Sequence, residues 1–199
     1  LGLAYFKSSK HEQAIQSFTA FLAKNPAHRQ ALQLRAISNF EVGRYEASAK
    51  DYEALLPTPD LTINLGLASA YTQFGDATKA RAALEPLLTR DDSAEAQVLV
   101  AQTALLEDKP EEAQAALDRA LKISSRTPAL HYYRGYLHWK RRETEEAIAE
   151  WREELKLDTN SFLATFALGG AIAMSATAQG DTKGITEAEE LLRRAITLK

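Results

Sequence analysis

A small residue followed four positions later by a bulky one recurs six times along this chain: Ala14/Phe18, Ser48/Tyr52, Ala80/Leu84, Ala113/Leu117, Ala147/Trp151 and Ala188/Leu192. The small residues are spaced 34, 32, 33, 34 and 41 apart. A unit of that length cannot bury its own apolar face, so neighbouring units must stack into a shared core. The clearest copy runs from Pro110 to Ile123. Its Ala113, Leu117, Ala120 and Leu121 fall at i, i+4, i+7 and i+8, one face of a 3.6-residue period. Pro110 suits a first helical position, whose N–H has no partner anyway. Glu111 and Glu112 meet the positive end of the macrodipole, and Lys122 the negative end.

Each of these helices is preceded by another that carries a small residue at its crossing point: Gly2, Ala36, Ala68, Ala101, Gly135 and Gly169. Close helix approach requires such residues. The spacing therefore predicts an all-α array of antiparallel helix pairs, in units of about 1–28, 29–60, 61–93, 94–127, 128–160 and 161–199. The third unit reads best in the frame Ala68, Tyr71, Gly75, Ala80, Leu84, although Leu65-Gly66 offers a second frame. Pro57 and Pro59 stop the second unit early, and Pro86 predicts a kink or early break. The last spacing is one repeat plus seven residues. Its surplus, Ser175–Thr186, has no apolar period and reads as a loop or an extended helix end. Gly180-Asp-Thr-Lys-Gly184 lacks the order of a phosphate loop and reads as a flexible insertion.

Leu1-Gly2, Tyr5, Ala14, Phe18 and Pro26 reproduce the L-G-x2-Y … A-x3-F … P half of the tetratricopeptide (TPR) pattern, and the chain resembles that family over essentially all 199 residues. The resemblance implies a single right-handed superhelical solenoid over 1–199 whose first helices line a concave groove. Groove-facing positions then fall at Gln33 and Ile37, Leu65 and Ser69, Val98, Gln102 and Leu105, Tyr132, Tyr136 and Trp139, and Phe166, Gly170 and Met174. Chaperone-binding members of that family grip acidic C-terminal tails with Lys, Asn and Arg at such positions; that set is missing here. Neither end carries a polar capping helix, so further repeats or another domain are expected in a longer chain.

Tyr132, Tyr136 and Trp139 share one stripe at i, i+4 and i+7. They are either anchors for a partner's helix or extended peptide, or rings packed into the core; periodicity does not separate the two. Repeat five has His131 and Arg134 where large apolar residues are usual, and Glu154 where a small one is usual. Opposite charges at facing positions suggest compensation, so an Arg134–Glu154 ion pair is expected, with His131 as a third member.

With no cysteine, thiolate chemistry and Cys-ligated zinc are excluded. The spacing of His131 and His138 is not that of two ligands on one helix, so no metal is expected. His11 and His28 read as surface turn residues. A net charge of −3 with mixed signs gives no nucleic-acid footprint, and Lys140-Arg141-Arg142 reads as a helix end answered by Glu143, Glu145 and Glu146. No run was expected to approach the roughly 18 apolar residues of a membrane span. Every polar candidate has a helical explanation, so no catalytic set or cofactor fingerprint is read. The expected function is a non-enzymatic scaffold for a protein or peptide. The alternatives are a self-association module, forming homo-oligomers through its apolar ends, and the regulatory or targeting arm of an enzyme lying outside this sequence.

Overall fold

The structure, a computed structural model, describes residues 1–88 and 93–198. The end of the third sequence unit (89–92) and Lys199 lie outside the described residues. Among the described residues every regular element is an α-helix: α1 (Gly2–Lys7), α2 (His11–Leu22), α3 (Arg29–Glu41), α4 (Tyr45–Glu53), α5 (Leu61–Phe74), α6 (Ala77–Leu88), α7 (Ala94–Leu106), α8 (Pro110–Ile123), α9 (Leu130–Lys140), α10 (Thr144–Leu157), α11 (Phe162–Gln179) and α12 (Thr182–Leu198). They form two compact units, Leu1–Lys109 and Pro110–Lys199.

In the first unit each helix packs on the next, and α1 on α3, α3 on α5 and α5 on α7 pack in addition. In the second unit α8 to α12 pack in sequence. One backbone device closes the turn inside each of the six helix pairs. Ser9, Gly43, Gly75, Asp108, Arg142 and Gly180 adopt φ of 53°, 76°, 88°, 55°, 64° and 68°. The next residue's N–H then reaches the carbonyl five positions back, as in Arg44 to Asn39 at 2.8 Å and Glu143 to His138 at 3.0 Å. This left-handed closure satisfies carbonyls that the ended helix leaves open.

The predicted crossings are tight. Ala14, Ala36, Ser48, Ala68, Ala80, Ala101, Ala113 and Ala147 are fully enclosed. A Cβ on Gly135 would sit 2.6 Å from Trp151 Nε1, and one on Gly2 would meet the Phe18 ring. Gly75 takes the left-handed turn required by the chosen frame of the third unit. Gly66, the marker of the rejected frame, has its own role: the Tyr52 ring lies where its Cβ would be.

Three expectations change, and one pair of alternatives is resolved. First, α6 does not break at Pro86: the helix carries the proline within it and reaches Leu88, next to the undescribed residues 89–92. Second, of the two alternatives for the surplus of the sixth repeat, the extended helix end holds: α11 and α12 reach 18 and 17 residues. Third, Gly180–Gly184 is therefore no flexible insertion: Gly180 is the turn and Gly184 is buried in α12, where a Cβ would come within 2.7 Å of Ala176. Fourth, α11 is a run of span length, 18 residues with mean hydropathy 1.3 and no charge. Its Leu168, Ala171 and Ile172 join Ala147, Ile148, Trp151 and Ala188 in one core cluster between α10 and α12, while Leu163, Phe166 and Met174 stay exposed.

Candidate partner-binding surface

The second unit holds the residues with most to say about recognition, and the start of α9 sets their positions. The first helices α3, α5, α7 and α11 each begin seven residues before their small crossing residue, capped by His28, Asp60, Ser93 and Ser161. Thr127 stands at the matching place before Gly135, but it donates its hydroxyl to the Ser124 carbonyl at 3.0 Å. Ala129 turns left-handed at φ 62°, and α9 starts only at Leu130. Its first amides need an acceptor from elsewhere. Glu154, 3% exposed, supplies it from α10, accepting the N–H of Ala129 at 2.9 Å and of Tyr132 at 3.2 Å.

This corrects the expected Arg134–Glu154 pair. Arg134 instead donates Nε to Glu150 at 2.8 Å and Nη1 to Asp118 at 2.9 Å. Glu150 lies one turn nearer the α9–α10 connection than Glu154, and Glu154 is held by backbone donors. His131 joins the cluster through Glu150, at 2.6 Å from Nδ1, and its Nε2 meets the Ser125 carbonyl at 2.9 Å. Both partners are acceptors, so the geometry requires a doubly protonated imidazolium. The bond to Glu150 raises the His131 pKa against the lowering effect of burial. Burial pushes the Glu150 carboxyl up, but the bonds from His131 and Arg134 outweigh it and hold the pKa below its usual value.

The same device stands in the first unit, and the sequence reading missed it. Arg35 donates Nε and Nη2 to Asp51 at 2.8 and 2.6 Å, and reaches back to Thr19 at 3.2 Å. Arg35 and Arg134 each precede a small crossing residue, Ala36 and Gly135. Asp51 and Glu150 each precede the bulky one, Tyr52 and Trp151. That shared register was the available signal.

The aromatic stripe divides between the two readings. Tyr132 and Trp139 are half-buried against the core cluster, where the Tyr132 carbonyl accepts Trp151 Nε1 at 3.0 Å. Tyr136 and Trp139 also line a concavity of about 740 Å³ together with Lys140, Arg142, Thr144 and Met174. On α11, Phe166 and Met174 are 57% and 63% exposed. Gly170 lies between them at helical spacing, with nothing within 4 Å of where a Cβ would be. In the first unit Leu65, Ser69, Gln102 and Leu105 are half-exposed, as are Gln33 and Ile37. Val98 is not available: at 3% exposure it is buried, because α7 packs against both α5 and α6. His28 is a helix cap rather than a turn residue, its Nδ1 accepting the Ala31 N–H at 3.2 Å. Among the described residues no group of three His, Asp or Glu side chains is placed to hold a metal.

The repeat register and turn geometry together define a tetratricopeptide array. The tetratricopeptide-repeat family profile matches residues 1–61, 65–126 and 101–162, and the chain belongs to this family. Solved structures agree on the fold. A tetratricopeptide repeat protein from Parabacteroides merdae is 18% identical, with a TM-score of 0.76 over 98% of this chain and 82% of that one. A thermophilic TPR protein of Thermus thermophilus is 19% identical, with a TM-score of 0.69 over 86% and 95%. The APC/C hetero-tetramer Cut9–Hcn1 is 18% identical, with a TM-score of 0.72 over 98% of this chain and 41% of that one. A search of curated proteins finds no match. Family membership supports a protein-interaction scaffold in general, and proteins of this family are generally non-enzymatic.

Proposed function

We propose that this chain binds a protein segment on the face formed by α9 and α11 of the second unit. The observation that carries the reading is the concavity of about 740 Å³ between Tyr136, Trp139 and Met174, beside the exposed Phe166 ring. Burying apolar surface contributes about 25 cal/mol per Å², and aromatic anchors in such pockets dominate binding energy. Assembly of a family neighbour into a hetero-tetramer with another protein is consistent with this use of the fold. Leu65, Ser69, Gln102 and Leu105 are proposed as a second stretch of contact surface in the first unit. Two of the family matches, 65–126 and 101–162, run across the boundary at Lys109, which supports reading 1–199 as one solenoid domain.

Peptides selected from a displayed random library on the whole chain provide the test. Tyr136→Ala and Met174→Glu are expected to weaken their binding at least about tenfold, near 1.4 kcal/mol. Selected peptides that bind both variants as tightly as the original chain would refute the reading. Sedimentation at rising concentration addresses the self-association alternative, in which these variants would shift the oligomer instead.

A further inference from the structure

The concavity beside α9 carries a sign. Lys140 and Arg142 stand on its rim, Thr144 adds a hydroxyl, and among the described residues no carboxylate lines it, although the whole chain has a net charge of −3. The adjacent acid is engaged elsewhere, since Glu143 meets His138 Nδ1 at 2.7 Å. The neighbouring base is also used, since Arg141 donates to Gln114 at 3.2 Å. Arg142 differs from both. Its side chain is exposed, and among the described residues its guanidinium makes no ion pair. Its φ of 64° is the turn slot that glycine fills at Gly43, Gly75 and Gly180. Ser9 and Asp108 fill the same slot elsewhere, so the conformation is the repeat's own turn and Arg142 is one of its non-glycine occupants. Below it, Lys140 Nζ lies 5.9 Å from the Tyr136 ring centroid, so charge and aromatic floor are contiguous.

We infer that the segment bound on this face is acidic: an apolar or aromatic side chain set against Tyr136, Trp139 and Met174, flanked by an Asp or Glu that meets Arg142 on a rim where Lys140 adds positive charge. The inference rests on the binding reading above and names the chemistry of the partner. It differs from a clamp on a chain-terminal carboxylate, because the cations stand at the turn after α9 and the recognised group is a side chain within the segment. The apolar contact supplies affinity, while the charges select among partners and speed encounter. A guanidinium offers five donors in a planar fork matched to a carboxylate.

The experiment extends the same library selection with the whole chain. Selected sequences should be enriched in Asp and Glu next to the apolar anchor. Replacing that acid by Lys in a synthetic peptide should weaken binding at least about tenfold, and added salt should weaken the acidic peptide more than the apolar contact alone. Arg142→Gly separates recognition from folding: it suits the left-handed turn, so melting should not fall, yet affinity should drop severalfold. Arg142→Gln, which keeps a long side chain, should weaken binding in the same direction. Peptides that depend on Tyr136 but tolerate Arg142→Gly, Arg142→Gln and loss of their own acids would overturn the acidic inference while the docking face stands. If no selected peptide depends on Tyr136, both fall.

Discussion

Glu154 is a buried carboxylate whose partners are two backbone amides, and that arrangement predicts a specific pattern of damage. Its bonds to Ala129 and Tyr132 measure 2.9 and 3.2 Å. A hydrogen bond to a charged group contributes about 1.5–3 kcal/mol, and the second bond lies at the long limit, so the pair amounts to about 3 kcal/mol. Glu154→Ala recovers some desolvation of the carboxylate but leaves a void and two open amides, for a net loss of about 2–3 kcal/mol. In a chain of this length each kcal/mol shifts Tm by about 2–4 °C, so melting should fall by roughly 4–12 °C. Glu154→Gln keeps an acceptor oxygen without the charge and should lose only about 1 kcal/mol. Calorimetry reads the first number, and hydrogen exchange at the Tyr132 amide reads the local effect. An unchanged Tyr132 exchange rate in Glu154→Ala, or equal damage from Ala and Gln, would refute the capping argument. The same variants separate this arrangement from an Arg134–Glu154 pair. A double-mutant cycle should show its larger coupling between Arg134 and Glu150.

Three further outcomes are expected. The His131 imidazolium raises its pKa in the folded chain, so its contribution is full below the unfolded value of about 6.5 and is lost as pH rises through the higher folded value. The urea midpoint should accordingly fall between about pH 6 and pH 9, and His131→Gln should shrink that difference; an identical profile in the variant would discount the His131–Glu150 bond. Ser48 is fully enclosed and its hydroxyl has no partner among the described residues, so Ser48→Ala should raise stability by about 1 kcal/mol in denaturant titration, and a loss would reveal a partner such as water. Gly135→Ala places a Cβ 2.6 Å from Trp151 Nε1 and strains that group's bond to the Tyr132 carbonyl. It should cost about 1–3 kcal/mol and shift the Trp151 fluorescence; a variant matching the original chain on both counts would contradict the crossing.

The helices and their pairing were legible because small-to-bulky spacing states both periodicity and crossing point. Ala113 and Leu117 report the same face in any stacked pair, whatever the neighbours. Side-chain partners were less legible. Repeat spacing places Arg134 opposite α10 without choosing between Glu150 and Glu154, which lie one turn apart. The choice followed from Ala129, whose left-handed turn shortened α9 and left amides that Glu154 accepts. Val98 was misplaced for a related reason. An average repeat assigns it to an open face, but Val98 is buried where α7 packs against α5 and α6.

By itself, then, the sequence determined a helical array of six units, the positions of the crossings and the family they belong to. These follow from local propensity and from spacings that hold in every repeat. Tertiary structure decided which side chains are enclosed and which stay at the surface. It split Tyr132 from Tyr136, turned Arg142 through a left-handed slot onto the rim of a concavity, and made Gly184 a buried crossing instead of a loose loop. Those outcomes depend on how far each helix extends and what packs beside it, and such distances arise only when the chain has closed on itself.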